Sequence, residues 1–120
     1  MFELTVRDDF SSAHFLRDYD GQCRNLHGHT WKVAVTVSGS ELDRIGVMAD
    51  FVSMKKHLKA ILDQLDHACL NDLDFFKENN PTAENLARYI YTEYKPLIAP
   101  VHLVKVRVWE SERADVVYYE

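Results

Sequence analysis

One segment of the chain, from His27 to Val37, alternates between two kinds of side chain with the period of a β-strand. One set of alternate positions carries two imidazoles and then bulky apolar groups: His27, His29, Trp31, Val33, Val35 and Val37. From Thr30 onward the positions between them are small or polar. Because successive side chains of a strand point to opposite faces, this pattern predicts a strand with one apolar face that begins with two histidines.

The same two-residue period predicts three more strands. A first strand begins at Phe2 and runs to His14, with a bulge near Ser11 and Ser12. Two later strands are predicted near the end of the chain. Their positions on one face are Val104, Val106, Val108 and Glu110 in the third strand, and Val116 and Tyr118 in the last.

Two stretches between the second and third strands follow a helical period instead. Asp50 can cap a helix whose apolar residues recur at three- and four-residue steps: Phe51, Met54, Leu58, Ile61, Leu62 and Leu65. Thr82 can cap a second helix, which Pro96 closes. The order strand, strand, helix, helix, strand, strand predicts an α+β fold, with both helices on one face of an antiparallel four-stranded sheet.

Length and charge limit the class of protein. A chain of 120 residues has the size of one domain, so we expect residues 1–120 to form a single unit. The net charge of −5 offers no basic patch to nucleic acid. No signal peptide or membrane-length apolar run is evident, and two cysteines are too few for a disulfide framework. We therefore expect a cytoplasmic protein with reduced thiols that binds neither nucleic acid nor a membrane.

Three histidines form a candidate metal site. His27 and His29 share one strand face, and His14 ends the strand that is predicted to pair with it. Three imidazoles with an open fourth position are typical of catalytic zinc. Two alternatives stay open, namely unrelated surface histidines and a closed structural site in which Cys23 is the fourth ligand.

Cys23 has a second interpretation, as a base or nucleophile. A divalent cation nearby favours the thiolate form of a cysteine. The polar loop around Cys23 favours an accessible thiol, whereas Cys69 is expected to serve packing. Spacing alone does not decide whether Cys23 is a ligand or a base.

Two further features suit acid–base chemistry or substrate binding. Asp66 precedes His67, and a carboxylate that orients a histidine builds a general acid or base. The alternative is a polar helix end, where histidine is favourable. Glu110 ends a row of valines, where a carboxylate is costly unless it is paired. It suits a ligand with adjacent N–H donors, such as the edge of a heterocycle, unless the strand has simply reached solvent there.

These features occur together in one known family. The chain carries Cys23-x-x-x-His27-Gly28-His29, Leu65-Asp66-His67-x-x-Leu70-Asn71, Asn80-Pro81-Thr82-x-Glu84-Asn85 and Val108-Trp109-Glu110-Ser111. Over essentially its whole length it resembles the 6-pyruvoyltetrahydropterin synthase family. Within that family it is most similar to the branch that forms a 6-carboxy product.

The resemblance implies an assembly and a set of site residues. In the tunnelling fold, subunits pool their sheets into a trimeric barrel, and two trimers stack into a homohexamer. The Asp66–His67 pair would then act across a subunit interface. The implied roles are zinc ligands for His14, His27 and His29, catalysis for Cys23, Asp66 and His67, and pterin binding for Glu110, Thr82 and Glu84.

The resemblance also implies a reaction. A zinc-dependent lyase would convert 7,8-dihydroneopterin triphosphate to 6-carboxy-5,6,7,8-tetrahydropterin, with release of acetaldehyde and triphosphate, in queuosine biosynthesis. One alternative is a relative that forms 6-pyruvoyl-tetrahydropterin or trims the side chain to 6-hydroxymethyl-dihydropterin. An alternative of another class is a non-catalytic, zinc-structured pterin-binding protein.

Overall fold

A computed structural model describes residues 1–120 as four antiparallel strands covered by helices. The strands lie in the order β1-β2-β3-β4, so neighbours along the chain are also neighbours in the sheet. The predicted α+β class is therefore confirmed. The strands are β1 (Phe2–His14), β2 (His27–Gly39), β3 (His102–Ser111) and β4 (Ala114–Tyr118).

The pairing of β1 with β2 is continuous from one end to the other. Phe2 lies opposite Gly39, and His14 lies opposite His27, with no shift of register between them. The predicted bulge near Ser11 and Ser12 is therefore wrong. This regular hairpin brings the last residue of β1 directly beside the first residue of β2, which is how His14 reaches the other two histidines.

The irregularity lies instead between β2 and β3. Thr36 pairs with Lys105, but Val37 pairs with Leu103, so Val104 is an extra residue in its strand. A bulge of this kind reverses the facing of the residues beyond it. Leu103 is buried where we predicted Val104, which is only half-buried.

The helices pack on one face of the sheet, as predicted. They are α1 (Phe51–Leu65), α2 (Asp74–Glu78) and α3 (Ala83–Tyr94). The Asp50 side chain accepts a hydrogen bond from the Val52 amide, and Thr82 caps α3 in the same way. Two details differ from prediction: α2 was not foreseen, and Phe51 is exposed rather than part of the apolar face. None of these helices is both long enough and apolar enough to cross a bilayer.

The core lies between the sheet and these helices. One cluster of 23 buried residues includes members from the strands and from the helices, and Trp31, Tyr91 and Tyr94 are its largest members. Trp31 lies at the histidine end of β2, where its ring packs on His14 and His29 at centroid distances of 5.0 and 5.1 Å. The candidate metal site is thus built on the rigid edge of the core, a better support than a free loop.

Candidate active site

Three histidines converge at one end of the sheet. His14 is buried, whereas His27 and His29 are half-buried. Each offers one ring nitrogen, and these three atoms lie within 4.8 Å of one another. The β1–β2 register explains the cluster, because His14 lies opposite His27 and His29 follows two residues later on the same face. Sequence and pairing thus place three imidazoles around one point.

Backbone carbonyls orient two of the rings. The His14 Nδ1–H donates to the Pro81 carbonyl at 2.7 Å, and the His27 Nδ1–H donates to the Asn25 carbonyl at 2.7 Å. A carbonyl oxygen only accepts, so the proton sits on Nδ1 and the Nε2 lone pair stays free. Such bonds typically fix the tautomer of histidines that bind metals.

The free nitrogens are also buried. Nε2 of His14 and Nε2 of His29 have no hydrogen-bond partner in the structure. Buried polar atoms without partners are rare in native proteins, so these two atoms require a ligand. A divalent cation that accepts nitrogen ligands fits both the free lone pairs and the spacing.

The protonation state agrees with this interpretation. Burial lowers the pKa of His14 and of His29 below the usual value for histidine. The Pro81 carbonyl opposes this shift of pKa at His14, and the Glu110 carboxylate opposes it at His29. Both rings are therefore neutral at neutral pH, which is the form that binds a metal.

Cys23 lies outside this cluster. The group of ligand atoms within 4.8 Å of one another contains the three histidines and no cysteine. Cys23 occupies a short 3-10 turn, Gln22–Arg24, in the loop between β1 and β2, and it is half-buried with a free thiol. The geometry therefore does not support a closed structural site with Cys23 as the fourth ligand.

The Asp66–His67 pair is formed in the structure. Asp66 Oδ2 lies 2.8 Å from His67 Nδ1, and Asp66 Oδ1 accepts a hydrogen bond of 2.8 Å from the Ser11 amide. The Ser11 amide, and then the His67 ring, lower the pKa of Asp66 below its usual value. The carboxylate therefore stays charged and holds the imidazole by Nδ1, leaving Nε2 to face outward.

The pair is attached to the free edge of the sheet. The His67 amide donates to the Ser11 carbonyl, and the Ala13 amide donates to the Ala68 carbonyl. These bonds run along β1, which has no strand on that side. His67 has a left-handed backbone (φ 53°), and its side chain is 84% exposed. Its ring therefore points away from its own chain.

No hydrogen bond or ion pair joins the Asp66–His67 pair to the three histidines of the same chain. A surface depression of about 530 Å³ lies between the two groups, and both His29 and His67 are among the residues that line it. The predicted acid–base pair thus exists as a local unit.

Glu110 lies next to the histidine cluster. Its Oε1 is 3.7 Å from His29 Nε2, and the side chain is 34% exposed. Glu110 was predicted to bind a ligand from its place at the end of a row of valines, but its proximity to the metal site was not predicted. The strand register contained the signal, because Val33 lies opposite Val108 and two further residues bring Glu110 level with Trp31.

The structure does not bring Thr82 and Glu84 together with these groups. Thr82 Oγ1 accepts a hydrogen bond from the Asn85 amide and so caps α3. Glu84 is exposed in the first turn of α3, where a negative charge is favourable near the helix N-terminus. Both residues have a structural role that explains their presence. Their predicted contact with a substrate stays a prediction.

The fold and the site together define a class of protein: a four-stranded antiparallel sheet with helices, in which three histidines at one end of the sheet could hold a metal ion. The family model described as 6-pyruvoyl tetrahydropterin synthase matches residues 3–120. The chain therefore belongs to the 6-pyruvoyl tetrahydropterin synthase family. The prediction of a lyase of this family is confirmed.

Individual relatives agree with this assignment. The chain is 32% identical over 143 residues to the 6-carboxy-5,6,7,8-tetrahydropterin synthase of Haemophilus influenzae, with 100% of both chains covered. It is 34% identical over 130 residues to the 6-pyruvoyl tetrahydrobiopterin synthase of Homo sapiens, covering 97% of this chain and 90% of the human protein. The structure of Caenorhabditis elegans 6-pyruvoyl tetrahydropterin synthase matches with a TM-score of 0.90 at 30% identity, covering 99% of this chain and 95% of the other.

Proposed function

We propose that this protein is a zinc-dependent lyase that converts 7,8-dihydroneopterin triphosphate to 6-carboxy-5,6,7,8-tetrahydropterin, with release of acetaldehyde and triphosphate. The observation that carries the proposal is the cluster of His14, His27 and His29, in which Nε2 of His14 and Nε2 of His29 are buried without hydrogen-bond partners. The similarity to the Haemophilus influenzae enzyme supports the carboxy product. The short spacing from Cys23 to the histidines supports the same choice.

In this proposal the three histidines hold the zinc ion. When bound, zinc would supply Lewis-acid polarisation of the hydroxyl groups on the substrate side chain. Two of the rings need no reorientation for this role, because the Pro81 and Asn25 carbonyls already fix them. The chain's own contribution is a set of three imidazole nitrogens that lie within 4.8 Å of one another.

Cys23 is proposed as the base that removes a proton from the side-chain carbon next to the pterin ring. That proton is acidified by the adjacent imine, so a thiolate is a sufficiently strong acceptor. Cys23 suits this role because it is half-buried, carries a free thiol and is not among the clustered ligand atoms. A base of this kind typically contributes about 10²- to 10⁴-fold to the rate.

His67 is proposed to move the hydroxyl proton while the side chain is cleaved. Asp66 holds the Nδ1 side of the ring at 2.8 Å, so the exposed Nε2 is the atom that would give or take the proton. The exposure of the ring supports a role in the site of a neighbouring subunit. We accordingly propose the homohexamer, built as two stacked trimers, as the working assembly.

Glu110 is proposed to bind the pyrimidine edge of the pterin. A carboxylate accepts two parallel hydrogen bonds from adjacent N–H groups, which fixes the plane and direction of the ring. Its position 3.7 Å from His29 supports this role, because a ring held there lies next to the metal ligands. Thr82 and Glu84 are proposed to contact the substrate from the first turn of α3.

The wider setting of the reaction is also part of the proposal. The product class places the enzyme in queuosine biosynthesis, and the free thiols of Cys23 and Cys69 suit a cytoplasmic location. The proposed substrate is a small pterin triphosphate, and the net charge of −5 gives no reason to expect that nucleic acid binds.

A product analysis tests the proposal. Purified, zinc-loaded protein is incubated with 7,8-dihydroneopterin triphosphate, and acetaldehyde, triphosphate and the pterin product are quantified over time. We expect acetaldehyde and the 6-carboxy pterin to form in equal amounts. Turnover without acetaldehyde would contradict the proposed product.

A second candidate function is the formation of 6-pyruvoyl-tetrahydropterin. The observation that favours it is the 34% identity to the human enzyme, which is as high as the identity to the bacterial one. This reaction eliminates triphosphate but leaves the carbon chain intact. The same experiment separates the two candidates, because only the carboxy-forming reaction releases a two-carbon aldehyde.

A further inference from the structure

Three residues after β1 connect the separate parts of the candidate site. Residues 15–17, called here the 15–17 segment, follow the metal ligand His14 and begin the loop that carries Cys23. They are not part of a strand, so no neighbouring strand pairs with them. Their backbone groups are nevertheless hydrogen-bonded, which calls for an explanation.

Two asparagine side chains take the place of a neighbouring strand. Asn71 Oδ1 accepts from the Phe15 amide at 2.9 Å, and Asn71 Nδ2 donates to the Phe15 carbonyl at 2.9 Å. Asn80 does the same for Arg17, with distances of 2.9 and 3.1 Å. A carboxamide carries a donor and an acceptor side by side, so one asparagine can bond both the amide and the carbonyl of one residue. The bonded residues, Phe15 and Arg17, are two positions apart, which is the spacing of residues whose backbone groups face the same edge of a strand.

Leu16, which lies between Phe15 and Arg17, forms its backbone hydrogen bond on the opposite side of the segment. The Leu16 amide donates to the Cys23 carbonyl at 2.8 Å. The 15–17 segment is therefore held on one side by Asn71 and Asn80, and on its other side it holds the turn that contains Cys23. No other backbone hydrogen bond joins the Cys23 turn to the body of the protein.

Each asparagine belongs to another part of the site. Asn71 is buried and lies in the segment that follows Asp66 and His67. Asn80 precedes Pro81, whose carbonyl orients the His14 ring at 2.7 Å. The backbone of Asn80 is itself fixed, because its carbonyl accepts from Asn85 Nδ2 at 2.9 Å.

We propose that Asn80 and Asn71 are positioning residues, whose side-chain amides hold the 15–17 segment and thereby fix the Cys23 thiol relative to the metal ligand His14 and the Asp66–His67 segment. The consequence for catalysis rests on the proposed role of Cys23 as the base. The positioning itself does not, since it can be measured on the thiol directly.

An isosteric substitution tests this arrangement. In Asn80→Asp the acceptor oxygen remains, but the donor is lost and a negative charge faces the Arg17 carbonyl. Asn79→Asp is the matched control, because Asn79 Nδ2 also donates to a backbone carbonyl, that of Phe75, but touches no residue of the 15–17 segment. The measurement is the rate of alkylation of Cys23 by iodoacetamide in zinc-loaded protein, read by peptide mass spectrometry with Cys69 as the internal reference.

We expect Cys23 to react up to about tenfold faster in Asn80→Asp, the factor that one lost hydrogen bond supplies. Cys69 should be unchanged, and Asn79→Asp should match the wild type at both cysteines. At the same time kcat should fall up to about 10²-fold while KM changes little. The reason is that a more mobile Cys23 thiol spends less time in the position from which it takes the substrate proton. A Cys23 rate and a kcat that match those of Asn79→Asp would overturn the proposal.

Two further results of these experiments also test the proposal. If both cysteines react faster in Asn80→Asp, the fold itself is disturbed, and hydrogen exchange on the wild type decides. Slow exchange of the Leu16 and Arg17 amides supports the proposal, and exchange at the rate of an open loop overturns it. If the wild type does not turn over 7,8-dihydroneopterin triphosphate, the proposed function fails, but the alkylation and exchange results still decide whether Asn80 positions Cys23.

Discussion

The molecule carries two groups of histidines, the cluster around His14 and the Asp66–His67 pair, and their surroundings are opposite. His14 is 1% exposed, and the cluster around it is oriented by carbonyls of its own chain and backed by Trp31. His67 has a side chain that is 84% exposed, and it is attached to a free sheet edge. The first group has all its orienting contacts within one chain. In the second, Asp66 orients the ring within one chain, but the ring faces outward, as expected of a residue that acts in the site of a neighbouring subunit.

The largest effect is expected from breaking the buried group. His14→Ala removes one of three ligands, and we expect it to abolish tight zinc binding and to lower turnover by at least about 10³-fold, since metal catalysis supplies several kcal/mol. His102→Ala, at an exposed position at the start of β3, is the control and should keep both properties. Zinc content by atomic emission and steady-state turnover are the measurements. Full zinc content in His14→Ala would contradict the assigned ligand set.

The next effect separates catalysis from metal binding. We expect Cys23→Ala to lose about 10²- to 10⁴-fold in turnover, the usual contribution of a general base, while its zinc content stays unchanged. Cys69→Ala is the matched control with normal turnover. A loss of zinc together with turnover would mean that Cys23 is a ligand after all.

A complementation experiment tests the comparison itself. Cys23→Ala and His67→Ala should each be nearly inactive, and subunits of the two are then co-assembled in equal amounts. If a site takes Cys23 from one chain and His67 from another, random mixing restores roughly one quarter of wild-type turnover. No recovery would show that each chain uses its own His67, reached through the depression that His29 and His67 share.

The smallest effect concerns pH and stability. The pKa of Asp66 is lowered in the folded protein, chiefly by the Ser11 amide. A carboxylate with a lowered folded pKa stabilises the fold at pH values above its unfolded pKa of about 3.9. That contribution is lost as the pH falls through the folded pKa. Denaturant unfolding between about pH 6 and pH 2 should therefore show a shallower acid loss in Asp66→Asn than in the wild type, and equal slopes would exclude this linkage.

Much of the fold was predictable because its patterns are local. Asp50 and Thr82 are N-cap residues that predict where α1 and α3 begin, and two-residue alternation locates the strands within a few residues. The bulge at Val104 could not be predicted, because Val104 and Leu103 are both apolar and either could face the core. The short helix α2 has only five residues, too few for a helical period to stand out.

The residue types of the candidate site were predictable, and so was the grouping of the three histidines, because the strand period and the expected pairing of β1 with β2 bring His14, His27 and His29 together. The orientation of their rings was not predictable, because it depends on contacts with distant segments. The hydrogen bond from His14 to Pro81 spans 67 positions, and no spacing rule reaches that far. Asn71 and Asn80 stood out only as part of motifs. Their hydrogen bonds to the 15–17 segment join residues far apart in the sequence, so the sequence pattern does not indicate them.

The left-handed backbone of His67 affects which residues selection for thermal stability would favour at this position. A non-glycine residue in this conformation costs about 1–2 kcal/mol, less for asparagine. The hydrogen bonds from the His67 amide to the Ser11 carbonyl and from the Ala13 amide to the Ala68 carbonyl hold the backbone there. Asparagine or glycine at position 67 would relax that cost but remove the imidazole. A screen that rewards only thermal tolerance would therefore favour chains that have lost this group. Under the proposed role of His67, histidine at this position in thermally adapted homologues would mark those still selected for turnover.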